Sequence, residues 1–257
     1  MPIWDSDQYL RFSRERTQPS RDLVARIPLA APSRLLDMGC GPGNSTAVLA
    51  QRFGTAGITG VDNSPQMLAA ARETRPDLRF DFFDMTADDW SPLGNGYDVV
   101  FSNACIQWLP DHNRLLPRML GLLAPGGCLA VQLPLVQHQE MRHIFDRLSA
   151  MPRWAAALSG IRTPHALEPE DYFDILAPLA SDLQLWQTTY YHRMASADQI
   201  LEWYRGSSLR PYLQRLDAQE GDAFVGEVRH ATEQAFRPQT TGDYLLPFPR
   251  LFILTRR

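Results

Sequence analysis

Between Leu35 and Thr46 the chain reads Leu-Leu-Asp-Met-Gly-Cys-Gly-Pro-Gly-Asn-Ser-Thr: an apolar run ending on an acid, three alternate glycines, then residues that open a helix. A plain strand-to-helix turn needs one glycine. Three, at Gly39, Gly41 and Gly43, describe a turn whose backbone is approached closely by something else, as happens at the ligand edge of parallel α/β sheets.

The flanking pattern agrees. From Arg34 to Leu135 strand-like apolar runs alternate with helical stretches, which is the rhythm of a parallel sheet with helices on both faces. Arg34–Met38 reads as the first strand, Asn44–Phe53 as a helix, Gly57–Asp62 as the second strand and Ser64–Arg75 as a helix capped by Ser64 with Pro65 at its first position. Leu78–Asp84 and Tyr97–Asn103 follow as strands, and Asn113–Leu123 as a helix halted by Pro125-Gly126-Gly127 before a fifth strand, Cys128–Leu133. After Leu135 helical pieces at His138–Met151 and Glu170–Ala177 precede a sixth strand, Leu183–Arg193; Ser196–Pro238 is helical and Leu251–Arg256 closes the sheet. An amphipathic helix is expected at Asp7–Arg16, with Trp4, Tyr9 and Phe12 nearby. The expectation is a doubly wound, mostly parallel seven-stranded α/β sheet, residues 31–257, with an N-terminal helical lid over 1–30 and a helical cap inserted at about 196–238.

Composition narrows the function classes. With 44% hydrophobic and 21% charged residues the 257-residue chain is that of an ordinary folded protein. Its longest apolar runs fall well short of the ~20 residues that cross a bilayer, and Met1–Leu10 lacks a secretory pattern, so a cytoplasmic protein without membrane contact is expected. A net charge of -4 and pI near 5.9 argue against nucleic acid. Cys40, Cys105 and Cys128 make neither a disulfide framework nor a metal pattern. No obligate protein partner is evident. Lysine does not occur, so every basic residue is arginine.

The glycine spacing selects the ligand. D-x-G-x-G-x-G differs from the dinucleotide fingerprint G-x-G-x-x-G, which sets a nicotinamide dehydrogenase aside. A pyrophosphate asks for free helix amides, whereas an amino-acid moiety with a free ammonium asks for a carboxylate, and Asp37 supplies one directly or through water. Asp62 ends the second strand where an acid accepts ribose hydroxyls; Asp84 ends the third, with Met85 beside it to pack near an adenine.

Together these features resemble the class I methyltransferases, whose fold is Rossmann-like. The resemblance implies S-adenosyl-L-methionine as cofactor, S-adenosyl-L-homocysteine as product, and a cofactor set of Asp37, Gly39, Gly41, Asp62, Asn63, Met67, Asp84, Met85 and Asn103, with no metal. The loop after the fourth strand, Ser102-Asn103-Ala104-Cys105-Ile106-Gln107-Trp108, lacks the N-P-P-[FY] sequence of amino-group acceptors; Gln107 and Trp108 are candidate walls of an acceptor pocket, and Cys105 is expected to pack.

Peripheral segments go further. Tyr9-Leu10-Arg11-Phe12-Ser13-Arg14-Glu15-Arg16, Asn103-Ala104 with Gln107-Trp108-Leu109-Pro110-Asp111-His112, Thr189-Tyr190-Tyr191-His192, Leu209-Arg210-Pro211 and Phe248-Pro249-Arg250-Leu251-Phe252 resemble the trans-aconitate 2-methyltransferases over nearly the whole length. That likeness implies esterification of one carboxylate of a small polycarboxylate, with no catalytic side chain needed beyond positioning. Arginine forks suit carboxylates, and Arg16 and Arg210 are the expected clamps, with Tyr9, Tyr191 and His192 as hydrogen-bonding neighbours; Arg11, Arg193, Arg205 and Arg250 stay open. Two alternatives stand beside this one: a methyltransferase for another small carboxylate, such as a malonylated carrier, and a non-catalytic adenosylmethionine-binding sensor or scaffold.

Overall fold

The computed structural model describes residues 12–55 and 57–257. In chain order the elements are α1 (Ser13–Arg26), β1 (Leu35–Met38), α2 (Asn44–Phe53), β2 (Ile58–Asp62), α3 (Pro65–Thr74), β3 (Arg79–Phe82), β4 (Tyr97–Asn103), α4 (His112–Gly121), β5 (Leu123–Pro134), α5 (Glu140–Ser149), α6 (Pro169–Leu176), β6 (Asp182–Met194), α7 (Ala197–Arg205), α8 (Arg210–Leu213), α9 (Ala218–Ala235) and β7 (Tyr244–Arg256). The seven strands form one sheet in the order β3-β2-β1-β4-β5-β7-β6. β1 to β5 pair in parallel, and β7 runs antiparallel to β5, from Cys128 opposite Arg256 to Pro134 opposite Arg250. The order reverses between β1 and β4, so a crevice opens beyond their carboxyl ends, where ligands of such sheets bind.

The chain divides into two compact units. The sheet unit comprises Ser13–Pro134, Ala166–Thr188 and Arg250–Arg257; the helical unit comprises Leu135–His165 and Thr189–Pro249 together with Phe12. The sheet unit is built on β1, β4 and β5, whose Leu35, Leu36, Val99, Val100, Phe101, Leu129 and Val131 are fully buried, as strands covered on both faces must be. The helical unit has its own core, in which Met141, Ile144, Phe145 and Leu148 of α5 meet Ile200, Trp203 and Tyr204 of α7 and Phe224 and Val228 of α9. The segment 196–238 lies within that unit.

Two strands differ from expectation, and one helix extends beyond it. The first described helix is Ser13–Arg26, with Leu23, Val24 and, just beyond it, Ile27 buried and Pro19 tolerated within it; the expected helix Asp7–Arg16 lies mostly outside the described residues. The expected lid over 1–30 therefore falls partly outside the described residues, and from Ser13 onward it is a helix packed on α2 and β5. β5 runs through the Pro-Gly-Gly breaker to begin at Leu123: the irregularity is absorbed as a bulge opposite Tyr97 and Val99, where a side chain at Gly127 would meet the Tyr97 carbonyl. β7 begins at Tyr244, seven residues early, and takes in Pro247 and Pro249.

Candidate functional site

The turn after β1 has a separate reason for each glycine. All three have positive φ, from 53° to 87°. A Cβ at Gly39 would lie 2.1 Å from the Cys105 sulfur, and one at Gly43 would press on Phe80 and Ala71; at Gly41 it would meet nothing within 4 Å. Of the three, only Gly41 faces open space, while its neighbours serve close packing of the turn. Met85, 9% exposed, reaches the same place, its methyl 3.6 Å from the Gly39 Cβ position.

Asp37 is completely buried. Its Oδ2 accepts from the hydroxyls of Ser45 and Thr46, both at 2.7 Å, and its Oδ1 is buried with no hydrogen-bond partner. Burial pushes its carboxyl from the ordinary 3.8 up to about 6, although the two hydroxyls pull it down. At the end of β4, Asn103 likewise has a buried Oδ1 without a partner. Two orphaned acceptors at the carboxyl ends of adjacent strands fit a ligand that brings N–H donors and positive charge, as the ammonium of S-adenosylmethionine does.

Asp62 is committed to shaping the turn: Oδ2 accepts from the Gly41 amide at 3.0 Å and Oδ1 from the Ser64 amide at 2.9 Å. Each carboxylate oxygen has two lone pairs, so ribose hydroxyls find acceptors there still. Burial raises its pKa against the pull of these amides. Asn63, half-buried, follows it; Met67, 7% exposed, lies in the first turn of α3, its amide capped by Ser64. Asp84 accepts from the amide and hydroxyl of Thr86 through Oδ1, which fixes the loop beyond β3.

Ala104 carries a left-handed backbone, φ 52°, directly after Asn103. The conformation costs an L-residue roughly 1–2 kcal/mol and is held from both sides: the Ala104 amide donates to the Gln132 carbonyl at 2.8 Å, and its carbonyl accepts from Gln107 Nε2 at 2.7 Å. Gln107 is 5% exposed, with Oε1 buried and unpartnered. Trp108 is half-buried beside it. Cys105 packs on Gly39, and burial holds its thiol well above the usual range, away from thiolate chemistry.

One feature escaped the sequence reading. Gln132 of β5 is 0% exposed and Arg250 of β7 only 5%; Arg250 Nη1 donates to Gln132 Oε1 at 3.1 Å. An arginine can only donate, so this bond fixes the amide, leaving Gln132 Nε2 as a buried donor without a partner. Gln132 is in register with Asn103 on β4. A guanidinium and an orphaned amide one strand from Asn103 have the donor set a carboxylate takes. The available signal was a single glutamine in the apolar run Cys128–Leu133, which no buried strand needs.

Of the expected clamps, Arg16 lies near the start of α1. Arg52, in the last turn of α2, donates to the carbonyls of Val24 and Ile27, so α1 and α2 end at the same edge of the sheet and both begin at the opposite, ligand edge. Arg16 is half-buried there, one turn before Ser20, whose Oγ is buried without a partner. In the helical unit Arg210 is half-buried at the start of α8, Tyr191 is 64% exposed, and His192 is 7% exposed and stacked on Trp203 at 4.5 Å. Tyr9 lies outside the described residues.

Comparison with known proteins places these features in company. A family model described as "Methyltransferase domain" matches residues 35–127. The trans-aconitate 2-methyltransferase of Methylobacterium radiotolerans is 44% identical over 261 residues, covering 100% of this chain and 99% of that one. Among solved structures, the YcgJ protein of Bacillus subtilis superposes with a TM-score of 0.62 at 12% identity, over 93% of this chain and 98% of that one. A Haemonchus contortus phosphoethanolamine N-methyltransferase 2, crystallised with S-adenosylhomocysteine, gives 0.57 at 20% identity, over 92% of this chain and 52% of that one. At such identities the two structures speak for the fold. Among the described residues no helix is long and apolar enough to cross a membrane, and no three or more His, Cys, Asp or Glu side chains gather as a metal site would need.

Proposed function

Because the chain belongs to the trans-aconitate 2-methyltransferase family, an S-adenosylmethionine-dependent class of enzymes, we propose that it methylates one carboxylate of trans-aconitate or a related small polycarboxylate, to give a monomethyl ester. The observation that carries the acceptor chemistry is the buried Arg250–Gln132 pair with its orphaned amide donor beside Asn103.

The cofactor, when bound, supplies a methyl group activated on a sulfonium. Asp37 Oδ1 takes its ammonium, Gly41 leaves room for it, Asp62 accepts from the ribose, and Met85 packs near the adenine. Arg250 and Gln132 hold a carboxylate of the acceptor; Arg16, Arg210, Gln107, Trp108, Tyr9, Tyr191 and His192 are the further residues proposed, from the sequence, to contact the substrate. An acceptor carboxylate has a pKa of about 4 and is ionised at pH 7, so no side chain has to remove a proton. What remains is to bring oxygen and methyl to roughly 3 Å in line and to exclude water, a task of positioning.

The direct test incubates the protein with methyl-labelled cofactor and a panel of trans-aconitate, cis-aconitate, isocitrate, citrate and a malonylated carrier. Label is expected in an ester of trans-aconitate; cofactor binding without any ester would leave the sensor reading standing. In the same assay Arg250→Met should raise KM for trans-aconitate at least tenfold, about 1.4 kcal/mol, and Arg250→Lys should restore little, because the flat fork is lost. A rise confined to the KM for S-adenosylmethionine would instead assign the pair to the cofactor's own carboxylate.

A further inference from the structure

The loop that leaves β4 is bracketed by strain. Among the described residues only two other than glycine have positive φ, Ala104 and Asp111, both at 52°. They stand at the two ends of the stretch that carries Gln107 and Trp108. Backbone held in so sparse a region persists only where its surroundings over-determine it. At Ala104 those surroundings are the Gln132 carbonyl and the Gln107 side-chain amide. Asp111 caps α4, its Oδ1 accepting from the Arg114 amide at 3.2 Å. That bond ties it to the helix, not to the loop.

The tie to the loop is His112, the first residue of α4 and 2% exposed. Its Nε2 lies 2.9 Å from the Ile106 carbonyl oxygen and its Nδ1 2.8 Å from the Tyr172 hydroxyl. A carbonyl can only accept, so Nε2 carries the hydrogen; in the neutral ring Nδ1 is then the acceptor and Tyr172 the donor. The same hydroxyl accepts from the Leu167 amide at 3.1 Å, and burial holds the phenol well above its ordinary 10, so the proton stays on it. Every donor in this chain therefore points towards Ile106, through a tyrosine that is fully buried. Ile106 opens the short helical turn Ile106–Trp108, and its carbonyl also accepts from the Leu109 amide at 2.8 Å. Two donors on one carbonyl fix the plane of the peptide joining Ile106 to Gln107.

Packing alone does not ask for this. Two rings stacked 5.7 Å apart would fill the same space without polar atoms, and polar atoms are costly to bury unless they are bonded. What the bonds add is direction. We propose that the His112–Tyr172 pair is the positioning device of this loop: it fixes the Ile106 carbonyl and, through it, holds Gln107 and Trp108 where the methyl acceptor is taken. The loop's task rests on the esterification reading; its rigidity rests on the geometry.

Substitution can separate the two ring nitrogens. Glutamine can place its amide nitrogen where Nε2 stands and keep the bond to Ile106, whereas asparagine reaches only the Nδ1 position beside Tyr172. His112→Asn is expected to lower kcat/KM for trans-aconitate by about tenfold or more and His112→Gln by less than about threefold. Both should keep S-adenosylhomocysteine affinity, because Asp37, Asp62 and the glycine turn lie outside the chain of bonds. Hydrogen exchange gives a readout independent of activity: the Trp108 and Leu109 amides, bonded to the carbonyls of Cys105 and Ile106, should exchange about tenfold faster in the asparagine variant alone. A part in packing only would cost both variants alike in kinetics, exchange and melting temperature, and that result would overturn the proposal, as would native kinetics or native exchange in His112→Asn. Should that variant not fold, Tyr172→Phe removes one hydroxyl and leaves the ring unanchored; a drop in kcat/KM of about threefold or more is expected, and native kinetics there would overturn the proposal equally. If the native protein esterifies no acid, the esterification reading falls, and exchange alone decides whether the pair holds the loop.

Discussion

Replacing Gly39 by alanine is expected to destabilise the protein by about 3 kcal/mol or more and to abolish cofactor binding. Two costs add. At φ 76° a Cβ is opposed by the backbone itself, roughly 1–2 kcal/mol, and the same atom would lie 2.1 Å from the Cys105 sulfur and 2.5 Å from its Cβ. Overpacking of that kind costs roughly 1–3 kcal/mol more, and the turn must move to relieve it. For a chain of this size that corresponds to a melting temperature lower by about 10 °C. Cys105→Gly, which removes both opposing atoms, should recover part of the loss. Gly41→Ala is the contrasting experiment: nothing lies within 4 Å of the added methyl, so stability should fall by only about 1 kcal/mol, while S-adenosylhomocysteine affinity should drop if the proposed cofactor site is the right one. A Gly39→Ala protein melting within about 2 °C of the native one would refute the packing account.

Asp37→Asn should do the opposite to stability and the same to binding. A buried acid whose pKa stands at about 6 instead of 3.8 is held ionised against its environment. The sign follows: the folded state retains the proton more tightly than the unfolded chain, so the contribution of Asp37 is complete below pH 4 and is lost as pH rises through about 6. At ~1.4 kcal/mol per pH unit the loss is about 3 kcal/mol by pH 7, and a neutral asparagine escapes it; the unliganded variant should melt higher than the native protein at neutral pH. Its affinity for S-adenosylhomocysteine should fall by about 10–100-fold, the 1.5–3 kcal/mol of a hydrogen bond to a charged group. In the native protein, affinity should also weaken about tenfold between pH 7.5 and pH 5 as Asp37 takes up its proton, a dependence the asparagine variant should lack. Equal affinity of the two proteins at both pH values would remove Asp37 from the site.

What could be read without coordinates was what is local. β1, the glycine turn and α2 occupy under twenty consecutive residues, and their strand, turn and helix signals do not depend on the rest of the chain. The strand acids Asp37, Asp62 and Asp84 were legible for the same reason. The purposes of the individual glycines were not, since Cys105, Phe80 and Ala71 come from other segments. The reach of α1 beyond Arg16 was not legible, because Leu23, Val24 and Ile27 are buried against elements that come from distant segments. Least legible was the partnership of Gln132 with Arg250, 118 residues apart. Periodicity carries no information at that range, and in a chain whose 25 basic residues are all arginine no single one stands out.

The position of β7 has a further consequence, for the order in which the molecule becomes competent. The last strand in sequence is not an edge: it is inserted between β5 and β6. A chain emerging amino terminus first has presented the turn, Asp62, Asp84 and Asn103 before half of it is made. Arg250 is seated against Gln132 only once a strand 118 residues further along the chain has been made. On the proposed assignment the residues for cofactor and for acid are therefore completed at different stages of synthesis, and a product truncated before β7 would keep the first set and lack the second.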